Sequence, residues 1–99
     1  MIYNDLTWKV FEEKSVTKSL KKIPKDILFK YKAWIEIVKN GGANNLKNYP
    51  GFKDEKLKGN LGHCRSSRLN IKYRVVYTEN NEVKEIIVLA VTPHKYDEV

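Results

Sequence analysis

Ninety-nine residues suffice for about one domain and exclude a multidomain enzyme. A hydrophobic share of 41%, with 31% charged residues, sits in the range of soluble globular chains and outside that of disordered or membrane ones. Nineteen Lys plus Arg against 12 Asp plus Glu leave a net charge of +7, the footprint of a protein that meets nucleic acid, an acidic protein or an anionic membrane surface.

One cysteine, Cys64, excludes an internal disulfide and a multi-Cys zinc site, and points to a reducing setting. The opening residues MIYNDLTWKV carry polar and acidic side chains where a signal peptide needs an apolar core, and no apolar run nears the ~18 residues of a membrane span. The expectation is one cytoplasmic domain over residues 1–99, without a membrane partner.

In chain order, Leu6 to Phe11 alternates apolar and polar side chains and predicts a first strand. From Val16 the period becomes helical, through Leu20 and Ile23, until Pro24 interrupts; proline suits the first turn of a new helix, so two helices are expected. The second carries Ile27, Leu28, Tyr31, Trp34, Ile35 and Val38 on one continuous stripe, and Gly41-Gly42 supplies its stop. The remaining faces are lysine-rich and read as solvated. Ala43 to His63 is polar, with several Asn, Gly and Pro residues, and is expected as a long connection.

Period two then returns. Cys64–Leu69, Lys72–Thr78 and Val83–Val91 predict three strands in a meander, with Ile86 to Leu89, apolar on both faces, in a central position. The expected fold class is α+β: an N-terminal strand, a two-helix hairpin and a three-stranded antiparallel meander in one sheet.

The chemistry concentrates after residue 52. All three arginines, Arg65, Arg68 and Arg74, fall within ten residues, and residues 53–74, which also include Lys56 and Lys58, carry a net +5. Arginine offers a rigid fork of donors matched to phosphate oxygens. Strand parity decides which arginines meet: a two-residue turn at Asn70-Ile71 puts Arg65 on the face of Arg74, whereas a three-residue turn sets Arg68 opposite it. No spacing of His, Cys or acids resembles a metal site, and no glycine-rich phosphate loop or flanked nucleophile appears. RNA cleavage without metal or cofactor needs a base for the 2′-hydroxyl, cations for the phosphate and an acid for the departing 5′-oxygen. Glu55 and His94 are candidate base or acid, and Tyr73 and Tyr96 candidate stacking rings.

Leu57-Lys58-Gly59-Asn60-Leu61, Arg65-Ser66-Ser67-Arg68-Leu69, Tyr73-Arg74-Val75-Val76-Tyr77 and Pro93-His94-Lys95-Tyr96, in this order, resemble the RelE/ParE superfamily of bacterial type II toxins over nearly the whole chain. The resemblance implies a metal-free, ribosome-dependent endoribonuclease that cuts mRNA in the A site by 2′-hydroxyl attack and is held inactive by a cognate antitoxin. It also implies that Arg74 stabilises the cleaved phosphate, that Arg65 or Arg68 assists, and that Glu55, His94 and Tyr96 share the acid and base roles. His-x-Tyr here departs from members that end in adjacent His-Tyr. The branch that poisons DNA gyrase lacks the catalytic set, and His94 with Tyr96 favours the RNase branch. Inhibition of gyrase through protein contacts and non-catalytic RNA binding are the alternatives.

Overall fold

The structure, a computed structural model, describes residues 7–93. Leu6, His94 and Tyr96 lie outside them. Strand β1 (Lys9–Glu12) follows Trp8, and Trp8 and Val10 turn to the core while Lys9 and Phe11 face outward. Next comes a six-residue helix, α1 (Lys14–Ser19), which tightens into a 3-10 turn at Leu20–Lys22. Ile23 then becomes extended, at φ −86° and ψ 152°, because a residue before proline is pushed out of the helical region.

Pro24 is the N-cap of α2 (Lys25–Lys39), which buries Ile27, Tyr31, Trp34 and Val38 at alternating steps of four and three residues. The two expected helices are thus present but unequal, a short one that ends in a 3-10 turn and a long one. With only Val16 buried, α1 lacks the apolar face that would sustain more turns. It lies against β5 (Glu85–Thr92).

The sheet has five strands in the order β1-β5-β4-β3-β2, with β2 at Glu55–Lys56, β3 at Arg65–Arg68 and β4 at Arg74–Asn80. β1 runs parallel to β5 and the other neighbours are antiparallel, so the sheet is mixed. β2 falls inside the segment expected as a connection. Two residues carry no period to detect, and their pairing is fixed by β3 instead. The rest of that segment is three 3-10 turns, Gly42–Asn48, Pro50–Phe52 and Gly59–Leu61, anchored by buried Leu46 and Phe52.

A register shift lies opposite Val76 and Tyr77, which pair with Ala90 and Val88 and leave Leu89 as the extra residue. This bulge lets Ile86, Val88 and Val91 all face the helices although 88 and 91 are three apart. Between the helices and the sheet, the Trp34 ring stacks 6.0 Å from Tyr31 and meets Tyr77 edge-on at 5.0 Å. The Tyr31 hydroxyl donates to Glu12 Oε2 at 2.6 Å and ties α2 to β1.

The end of α2 is fixed by a close approach. Gly42 has φ +70°, and a Cβ there would stand 2.7 Å from Trp8 Cζ2 and 2.8 Å from Glu79 Oε2, the oxygen that accepts the Ala43 N–H at 2.6 Å. Gly42→Ala is expected to lower stability by about 2 to 4 kcal/mol through overpacking and left-handed strain. A urea unfolding midpoint equal to that of the unsubstituted chain would contradict this packing.

Candidate nucleic-acid interface

Lys53, in the left-handed conformation (φ 45°, ψ 48°), reverses the chain immediately before Asp54. The Asp54 side chain is only 7% exposed. Arg65 donates to its Oδ2 from Nε at 2.9 Å and from Nη2 at 2.6 Å, while the Ser67 hydroxyl at 2.7 Å and the Tyr77 hydroxyl donate to Oδ1. Trp34 Nε1 donates to Ser67 Oγ at 3.0 Å and so extends the network into α2. An ionised carboxylate accepts about four hydrogen bonds, so Asp54 is saturated. Burial, and then the Asp54 charge and hydrogen bond, push the Tyr77 hydroxyl well above the ordinary tyrosine range, with Arg65 opposing.

Register sorts the arginines. The β3–β4 loop has three residues, Asn70 to Lys72, and Asn70 Oδ1 accepts the N–H groups of Lys72 and Tyr73 at 2.8 and 2.6 Å. Arg65 is thereby opposite Tyr77 on the helix side, and Arg68 is opposite Arg74 on the outer face. Glu55 pairs with Ser66 and shares that outer face. Directly opposed Cβ atoms stand about 5 Å apart and diagonal ones, such as those of Glu55 and Arg68, about 7 to 8 Å.

Glu55 and Arg68 are exposed and Arg74 is half-buried. Among the described residues neither Arg68 nor Arg74 has an ion pair, and Arg74 Nε is buried without a hydrogen-bond partner. Like charges set side by side repel, and an unsatisfied buried donor costs about 1 to 3 kcal/mol. An anion between the two guanidiniums relieves both penalties. The outer face thus presents two adjacent guanidinium forks with a carboxylate one strand away.

The other candidates are dispersed. Lys56 pairs with Arg65 in the ladder and so does not share the face of the arginine pair, and Lys58 is exposed beyond β2. Tyr73 packs against the core instead of flanking the arginines. β5 ends at Thr92, the ladder partner of Arg74; His94 and Tyr96 follow it, outside the described residues. Among the described residues no three His, Cys, Asp or Glu side chains gather as a metal site would require. Sequence reasoning missed Asp54, Ser67 and Tyr77. An indole on the buried stripe needs an acceptor, and that is the one signal that could have pointed to a polar network beneath Trp34.

Removing the Asp54 carboxylate leaves the Arg65 guanidinium and the Ser67 and Tyr77 hydroxyls without their acceptor. Asp54→Ala is expected to destabilise by about 2 to 4 kcal/mol, toward the lower end because Arg65 keeps some solvent contact. Thermal unfolding followed by Trp fluorescence tests this, and an unchanged midpoint contradicts it. A second expectation concerns alkaline pH. Burial followed by hydrogen bonding and charge from Glu12 raises the Tyr31 hydroxyl as burial and Asp54 raise that of Tyr77. Both groups favour folding fully below the unfolded tyrosine value of about 10, and this contribution is lost progressively as pH rises above it. Absorbance titration should show two tyrosines that ionise only on unfolding. Ionisation of every tyrosine near pH 10 in the folded state would contradict the burial.

No family model matches this chain, and no curated protein matches it. Solved structures do. The archaeal RelE of a RelE-RelB complex from Pyrococcus horikoshii OT3 is 27% identical, covering 91% of this chain and 98% of that one at a TM-score of 0.70. A toxin-antitoxin complex of YoeB and YefM from Staphylococcus aureus contains a chain 24% identical, covering 89% of this chain and 98% of its own, also at 0.70. The DinJ-YafQ toxin-antitoxin complex from E. coli matches at 17% identity over 87% of this chain and 91% of that one, again at 0.70. Matched over about nine-tenths of its length by such chains, the protein has the fold of toxins of the RelE/ParE superfamily.

Proposed function

We propose that the chain is the toxin of a type II toxin–antitoxin system and acts as a ribosome-dependent endoribonuclease that inhibits translation by cutting mRNA in the A site. The observation that carries this reading is the Arg68–Arg74 pair on the outer face, unpaired among the described residues, with the buried donor of Arg74 unmet and Glu55 on the same face. Arg74 and Arg68 grip the non-bridging oxygens of the scissile phosphate and stabilise the charge that builds on them. A general base, Glu55 or His94, takes the 2′-hydroxyl proton; O2′ attacks phosphorus, and the bond to the 5′-oxygen breaks. The other group, or Tyr96, protonates the departing oxygen, leaving a 2′,3′-cyclic phosphate and a 5′-hydroxyl.

Charge stabilisation comes from the guanidiniums, and this chemistry calls on no cofactor. Two further supports are the net charge of +7, suited to an RNA-lined site, and the likeness to toxins crystallised with antitoxins. The partner is accordingly a cognate antitoxin, acidic where it covers the basic face, with an affinity that weakens with salt.

The test is cleavage of mRNA on programmed ribosomes with 5′-end mapping. A folded Arg74→Ala protein is expected to lose about a hundredfold or more of the rate, the scale of a lost charge-stabilising donor, and Arg68→Ala to lose less because its guanidinium is more exposed. Undiminished cleavage by Arg74→Ala would overturn the assignment. Inhibition of supercoiling by the unsubstituted protein, with no RNA cut, would instead favour the gyrase-directed alternative.

A further inference from the structure

Strand β3 carries two adjacent serines with opposite fates. Ser67 turns to the helix side, where its hydroxyl is fully used: it accepts from Trp34 Nε1 at 3.0 Å and donates to Asp54 Oδ1 at 2.7 Å. Ser66 turns to the outer face, with Arg68 and Arg74. It is only 4% exposed, yet its hydroxyl has no hydrogen-bond partner among the described residues. Among those residues Arg74 Nε is the unpartnered side-chain atom shut off from solvent, so the Ser66 oxygen still opens at the surface.

The ladder fixes what surrounds this hydroxyl. Its partner on β2 is Glu55, and its partner on β4 is the fully buried Val76, which offers no polar atom. Arg68 lies two residues further along β3, opposite Arg74. Opposed Cβ atoms stand about 5 Å apart, and those of residues two apart on one strand about 7 Å. A line from Glu55 to Arg74, roughly 12 Å long between Cβ atoms, therefore crosses β3 between Ser66 and Arg68. An RNA strand that reaches both the arginine pair and Glu55 passes directly over Ser66.

We propose that Ser66 is a further catalytic residue, whose hydroxyl donates a hydrogen bond to a non-bridging oxygen of the phosphate that Arg68 and Arg74 hold. The assignment rests on the proposed RNA cleavage. The hydroxyl keeps its proton throughout, and its bond strengthens as negative charge builds on that oxygen. A neutral donor adds to the grip without adding to the repulsion between the two guanidiniums. With a single side-chain torsion confined by burial, it is in place before the phosphate arrives and loses little freedom on binding.

Ser66→Ala in the full chain tests it, with Ser67→Ala as the contrast. Because the Ser66 hydroxyl has no partner to lose, Ser66→Ala is expected to keep the thermal midpoint while slowing mRNA cleavage on programmed ribosomes by about tenfold or more. A single-stranded, 2′-O-methylated RNA, which cannot be cut, should bind it about tenfold more weakly, the scale of one lost hydrogen bond to a charged group. Ser67→Ala should do the reverse, lowering the midpoint and leaving the affinity of the folded protein for that RNA intact. A Ser66→Ala protein that binds the methylated RNA as tightly as the unsubstituted chain overturns the proposal, whether or not cleavage is seen. If the unsubstituted chain binds with this dependence on Ser66 but cuts no mRNA, the contact stands and the nuclease reading falls.

Discussion

The architecture turns on one buried carboxylate. Asp54 is removed from water on the helix side of the sheet, where an ionised group is tolerated only if its lone pairs are met. Three side chains from β3 and β4 meet them, and through Ser67 the indole of Trp34 joins. That one group therefore fastens a two-residue edge strand, which has little pairing energy of its own, to the central strands and to α2. It also decides the fate of an arginine. Arg65 is drawn to the helix side and neutralised, so of the three arginines only Arg68 and Arg74 stand on the outer face.

Much of the secondary structure was legible because each element has a period or a stop that the chain displays. Trp34 and its neighbours mark α2, Pro24 marks where it begins, and the alternation from Arg74 onward marks β4. β2 was not legible, since Glu55 and Lys56 are polar residues whose strand character arises only from pairing with Ser66 and Arg65. The first helix was legible from Val16 and Leu20, but its length was not, since only Lys14–Ser19 is α-helical and Leu20–Lys22 tightens into a 3-10 turn before Pro24.

For the site, sequence could state the alternatives but could not choose between them. Whether Arg65 or Arg68 faces Arg74 depends on one loop residue, and Asn70 settles it by accepting two backbone N–H groups of the turn. Asp54 could not be told from its neighbour Glu55 by composition; parity sends them to opposite faces, one to hold the fold and the other to share a face with the arginine pair. Tyr73 illustrates the same rule. Adjacent to Arg74 in sequence, it points the other way and serves the core.

The central claim is that two of the three arginines form the anion site while the third is a structural ion pair. Titrating a single-stranded, 2′-O-methylated RNA into the protein and following the three arginine Nε–H signals by NMR tests it most directly. The account predicts that the Arg68 and Arg74 signals move together and saturate at one affinity, while that of Arg65, held on Asp54, stays in place. Movement of Arg65 with Arg68 and Arg74 unperturbed would contradict it.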